Sequence, residues 1–93
     1  MSIEITHVRY GSTVKTHETI VRYKWKGIED GKVGENDKLS LVTWIDSEGG
    51  KAFVGSGANR VQVGVVHPTV GQAYLRTHAD GKWTNNLLDL PTF

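Results

Sequence analysis

The densest group of side chains able to do chemistry lies near the end of the sequence, where Arg76, Thr77, Asp80, Thr84, Asn85 and Asn86 crowd one short segment. Guanidinium, hydroxyl and amide groups gathered around a turn could converge on an anionic ligand or on the backbone of a partner. Arg76, Thr77, Asp80, Asn85 and Asn86 are therefore the candidate binding residues. The same residue types have structural uses. Asp80-Gly81 is a preferred pair for a type I′ turn, Thr84 suits a helix cap, and Arg76 can pair with a carboxylate or a terminal carbonyl. Turn and cap chemistry accounts for most of the set without a ligand.

A second group is electrostatic. Arg22, Lys24 and Lys26 alternate with Val21, Tyr23 and Trp25, so a strand here places the three cations on one wet face about 7 Å apart, with Arg9 on the neighbouring strand. Such a row could track phosphates, and it defines a nucleic-acid alternative. A solvated sheet face or a lysine-guarded edge gives the same pattern. Tyr23 and Trp25 fall on the opposite face, where they cannot serve this row as stacking platforms.

His7, His17, His67 and His78 have no close metal-ligand spacing, and the sequence contains no cysteine and no HExxH. Thiolate metal sites, disulfides and cysteine nucleophiles are excluded, and neither metal nor cofactor is expected. The run Gly55 to Asn59 lacks the GxxxxGK[ST] pattern and precedes a strand, so it reads as a turn. No GxSxG and no dinucleotide fingerprint occurs, and the expectation is a protein that is not an enzyme.

These groups need elements to hold them. Ile3 to Tyr10 reads as a strand whose alternation shifts near Thr6 and His7, as a bulge there or burial on both faces would require. Thr19 to Lys26 is the cleanest strand. Gly27 to Glu35 is loop chemistry. Asn36 as N-cap, with Asp37 in the first turn, starts a helix with Leu39, Leu41, Val42, Trp44 and Ile45 on one side and Ser40, Thr43 and Ser47 on the other. Gly49 and Gly50 stop it. Lys51 to Val54 and Arg60 to His67 form one hairpin-like unit, in which Gly64 marks a place for close approach to the backbone. Gln72 to His78 and a return strand starting at Lys82 and Trp83 form another, and Thr84 caps a short turn over Asn85 to Asp89. Pro91 closes the ordered part.

The predicted fold is α+β: about five strands in an antiparallel or mixed sheet, one amphipathic helix packed on one face, in the order ββα followed by two hairpin-like units. Val21, Tyr23, Trp25, Leu41, Ile45, Phe53, Val61, Val63 and Leu75 should make most of the core. Ninety-three residues suit a single domain over residues 1–93. The net charge is +1, but the acids concentrate between Gly27 and Gly50, so the molecule reads as dipolar. With no basic leader and no stretch near the ~20 apolar residues of a spanning helix, a cytoplasmic location and no membrane partner are expected.

The run YLRTHADGKWTNNLLDLP, from Tyr74 to Pro91, resembles the signature of a small bacterial and phage family, domain of unknown function 3892. The likeness extends to ITHVR at Ile3 to Arg9, VTWI at Val42 to Ile45, GGKAFV at Gly49 to Val54 and VGVV at Val63 to Val66. It implies the domain limits and a bacterial or phage setting, and assigns no activity, cofactor or substrate. The chain departs from the family pattern at Gly11 to Glu18 and carries Asn85 in place of Asp, which argues against a catalytic acid there. The functional expectation is a non-catalytic binding module that engages a protein partner or itself, as an accessory or phage-borne modulator. The alternatives are nucleic-acid binding through Arg9, Arg22, Lys24 and Lys26, and a small-ligand or enzymatic site around Arg76 and Asp80.

Overall fold

A computed structural model of the chain describes residues 2–55, 57, 60–79, 82–84 and 86–93. Strand β1 (Ser2–Tyr10) buries Ile3, Ile5 and Val8, which strict period-two alternation would place on different faces. Of the two expected explanations, the bulge reconciles them. Ile5 pairs with Trp25 and His7 with Lys24, leaving Thr6 as the extra residue opposite β2 (Ile20–Gly27). A second shift lies between the pairs Arg9 with Arg22 and Tyr10 with Ile20, where Val21 is the extra residue. This bulge turns Ile20 and Tyr23 inward, so Val21, expected in the core, is 40% exposed.

The segment read as a loop ends in a strand, β3 (Val33–Asp37), which pairs with β2 at the edge of the sheet. No apolar alternation marks it: Val33, Glu35 and Asp37 are exposed, and Gly34 and Asn36 point the other way. Its signal is a close approach instead, since a Cβ on Gly34 would lie 2.6 Å from the Trp25 ring.

Helix α1 (Lys38–Ser47) follows directly. Its N-cap is Asp37 rather than Asn36: the Asp37 carboxylate accepts from the Ser40 N–H at 2.7 Å. That bond holds the Asp37 carboxyl below its ordinary pKa. Asn36 serves Trp25, whose indole Nε1–H donates to its Oδ1 at 2.9 Å. Leu41 and Val42 are buried and Trp44 and Ile45 partly so, but Leu39, expected on the same face, is 74% exposed. The helix ends at Glu48 with Gly49 at φ +72°, the left-handed conformation that glycine adopts without a Cβ penalty.

Strands β4 (Lys51–Val54), β5 (Val61–Val66), β6 (Tyr74–Ala79) and β7 (Lys82–Thr84) complete the sheet, and a 3-10 turn, Asn86–Asp89, follows. The sheet order is β3-β2-β1-β4-β5-β6-β7. Only β1 and β4 are parallel among these neighbours, so the sheet is mixed. Among the described residues the fold is α+β with one helix, but the sheet has seven strands rather than about five: the return strand expected at Lys82 and Trp83 is β7, and β3, read as a loop, adds the other edge. Three strands precede the helix, not two. Of the expected turn at Gly55 to Asn59, Ser56, Ala58 and Asn59 lie outside the described residues, as do Asp80, Gly81 and Asn85.

Cross-strand rows define the two faces, since directly paired residues project to the same side. Gly27, Ile3, Ala52, Val63, Thr77 and Thr84 form one row facing α1 and the core. The adjacent row runs through all seven strands: Val33, Lys26, Glu4, Phe53, Gln62, His78 and Trp83. Phe53 therefore lies opposite the core, where sequence had placed it inside, and Ala52 and Val54 take the inner positions. Tyr23, Leu41, Val63 and Leu75 are buried as expected, Val61 is only half-buried, and Ile3, Ile5, Val8, Ile20 and Leu87 were missed. Burial pushes the Tyr23 hydroxyl well above its ordinary pKa.

The chain does not loosen after Pro91. The Val8 N–H donates to the Pro91 carbonyl at 3.0 Å, and Thr92 bridges Val8 in parallel, beyond the part of β1 that β4 occupies. Among the described residues no helix is long and apolar enough to cross a membrane.

Candidate functional site

The structure gives much of the C-terminal motif internal partners. Thr77, fully buried on the core side of β6, places its hydroxyl 2.5 Å from that of Thr84 and accepts the Asn86 N–H at 3.1 Å. The turn after β7 is thus capped across the sheet by Thr77, where sequence had assigned the cap to Thr84. A side-chain oxygen that satisfies an orphan N–H at the start of a helical turn does the same work from either position. Arg76 donates from Nε to the Thr84 carbonyl at 3.0 Å, which is the terminal-carbonyl pairing that its structural reading called for. Asp80 and Asn85 are outside the described residues, so the motif is represented by Arg76, Thr77, Thr84 and Asn86.

The basic row is assembled but partly engaged. Arg9 pairs with Arg22 and His7 with Lys24, on the face opposite the helix. Arg22 forms an ion pair with Glu35 at 3.0 Å, from the edge strand that sequence had read as a loop. Arg9 donates from Nε to the backbone oxygen of Phe93 at 2.8 Å, with its guanidinium 4.4 Å from the Phe93 ring centre. Lys24 lies 5.8 Å from the same ring, and Lys26 pairs in register with Glu4. Two of the four cations therefore already have oxygen partners, and Phe93 lies against Arg9, Lys24 and His7.

Sequence reasoning overlooked what stands at the other end of this face. The Trp83 indole leans from β7 across His78, 5.1 Å away ring to ring, to Gly64 on β5. A Cβ on Gly64 would lie 3.2 Å from two carbons of that ring, which is the close approach the glycine signalled. Gln62, Gly64, His78 and Trp83 border a shallow recess of about 280 Å³. Trp83 remains 44% exposed. Farther along the same row, the Arg60 guanidinium sits 5.6 Å from the centre of the Phe53 ring. The signal available in the sequence was parity: His78 and Trp83 flank the expected turn as partners of one hairpin.

The four histidines do not gather. His7 Nδ1 is 2.9 Å from the Thr6 hydroxyl. His67 lies 3.3 Å from Asp46, both largely exposed. His17 is 7% exposed, stacks on Tyr74, and has no hydrogen-bond partner for Nε2 among the described residues. Burial, reinforced by Arg76, lowers its pKa. Among the described residues no three His, Cys, Asp or Glu side chains are placed to hold a metal ion.

Among the described residues a mixed seven-stranded sheet and one helix make an α+β domain. The chain belongs to the family described as protein of unknown function DUF3892, which matches residues 4–91. No curated protein and no solved structure matches it.

Proposed function

We propose that this chain is a non-catalytic binding module that engages a protein partner or a second copy of itself through the sheet face opposite α1. One observation carries the reading: Trp83, 44% exposed and seated on Gly64, stands on a face exposed also at Lys24, Lys26, Lys51, Gln62 and His78. A large ring beside a shallow recess and ringed by polar side chains has the composition of an interface centre, where Trp and Arg contribute most. The seating on Gly64 limits the ring's freedom, so little rotamer entropy is lost when a partner covers it. A bacterial or phage accessory role inside the cell fits this reading and remains part of the proposal.

The nucleic-acid alternative draws on the same face, where cations and rings occur together. Two of its four proposed contacts, Arg9 and Arg22, already have partners within the chain. The small-ligand alternative at Arg76 and Asp80 is weakened in a similar way, because Arg76 bonds to Thr84 at the end of β7 and Thr77 to the turn that follows. Sedimentation of the purified chain across protein concentration, together with capture from host lysate at low and high salt, separates the readings. Self-association or salt-tolerant protein capture supports the module. Retention of nucleic acid alone, lost steeply with salt, overturns it in favour of the phosphate-tracking row.

A further inference from the structure

A different place, on the helix side of the sheet, has the features of a small-molecule site. Trp25 on β2 and Trp44 on α1 border a cleft of about 220 Å³ whose other lining residues are Ile3, Asn36, Ser40 and Leu41. Each indole is held by a glycine. The Trp25 ring lies against Gly34, and the Trp44 ring lies against Gly50 so closely that a Cβ there would collide with it. Ile3 and Leu41, both almost fully buried, supply further apolar walls.

The Asn36 amide in this cleft has a fixed orientation. Indole N–H can only donate, so the 2.9 Å bond from Trp25 Nε1 assigns the oxygen of the Asn36 amide and leaves its NH₂ as the other end. No partner for that NH₂ is found among the described residues. None of the lining side chains carries a charge, so an ionic ligand would lose hydration without gaining a counter-ion. The volume corresponds to roughly seven waters at ~30 Å³ each, room for one ring and a small substituent.

We infer that the Trp25–Trp44 cleft binds a small uncharged ring compound through a carbonyl oxygen that accepts from the Asn36 amide. The rings and Leu41 select for apolar, flat shape, and the Asn36 NH₂ selects for the acceptor. This site is separate from the sheet face around Trp83 and does not depend on it.

The test uses benzamide as the probe and the full chain labelled with ¹⁵N, whose three indole N–H signals report separately on the cleft and on Trp83. Benzamide should shift the Trp25 and Trp44 signals along a saturable curve and leave Trp83 in place. Benzoate, with the same ring and a charge, should bind at least about tenfold more weakly. Asn36→Ala should weaken benzamide by a similar factor, and Ser40→Leu, at an exposed position on the rim, should block it by filling the cleft. Ser40→Leu keeps the test decisive if Asn36→Ala fails to fold. Shifts that do not saturate, equal movement of Trp83, equal affinity for benzoate, or binding undiminished in folded Ser40→Leu would each overturn the assignment.

Discussion

Thr77 on β6 and Asn86, nine residues later, are joined by a hydrogen bond in which the buried Thr77 hydroxyl accepts the Asn86 N–H at 3.1 Å. The bond ties the turn after β7 to the neighbouring strand β6, close in sequence to Leu87, which is fully buried. Thr77→Val keeps the shape but strands that N–H and the Thr84 hydroxyl, so it should destabilise the fold by about 1–3 kcal/mol. Thr77→Ser should recover most of the loss. Equal denaturant midpoints for Thr77→Val and the parent would show that the bond contributes nothing.

Gly34 is a comparable test of the edge strand. An added methyl would press on the Trp25 ring from 2.6 Å and disturb its bond to Asn36. Gly34→Ala should destabilise by about 1–3 kcal/mol through overpacking. Combining it with Trp25→Leu should reduce the difference between Gly and Ala at position 34, read by thermal melting of the parent, the two single variants and the double variant. A Gly34→Ala effect undiminished by Trp25→Leu would contradict the contact.

The helix supplies a paired prediction in which structure and sequence disagree. Leu39 and Leu41 were both expected on the apolar face, yet Leu39 is 74% exposed and Leu41 3%. Leu39→Asp should be tolerated to within about 0.5 kcal/mol. Leu41→Asp buries an unpaired carboxylate and should unfold much of the chain. Circular dichroism melts of the two variants check this, and similar loss in both would restore the sequence reading.

Much of this architecture was legible because single strands announce themselves by local pattern. The shifted alternation of β1 pointed to a bulge near Thr6 and His7 or to burial on both faces, and the register shows the bulge, while the close approach at Gly64 followed from a glycine within a valine run. What escaped was set by pairing between distant segments. Val33 to Asp37 has no strand signature of its own, and only alignment with β2 makes it one. Phe53 reads as core by type, but its register with Glu4 and Gln62 puts it outside. The candidate surface escaped for the same reason, since Gly64 and Trp83 meet only through the intervening β6. Arg76 was seen as a candidate and also as a structural pair, and the Thr84 carbonyl is a partner of the second kind.

His17 gives the fold a pH dependence. Burial lowers its pKa from the ordinary 6.5, so between the folded value and 6.5 the unfolded chain binds the proton more readily. The contribution is fully present above pH 6.5 and is lost as the pH falls through the lowered value. Stability measured by urea titration should decrease on acidification across this window, and His17→Gln should flatten that part of the profile. An unchanged slope in the variant would place the titrating group elsewhere.

The central claim is that the sheet face opposite α1 is where this module engages its partner, with Trp83, on the edge strand β7, as the anchor. Trp83→Ala should leave the melting temperature within a few degrees, because the ring is 44% exposed and packs on the outside of the sheet. The direct measurement is partner capture, or self-association by sedimentation, for Trp83→Ala beside Leu39→Ala, which removes an exposed apolar side chain on the helix. The account predicts that Trp83→Ala lowers capture or self-association at least tenfold while Leu39→Ala retains it. Full-strength association by a folded Trp83→Ala protein would contradict it.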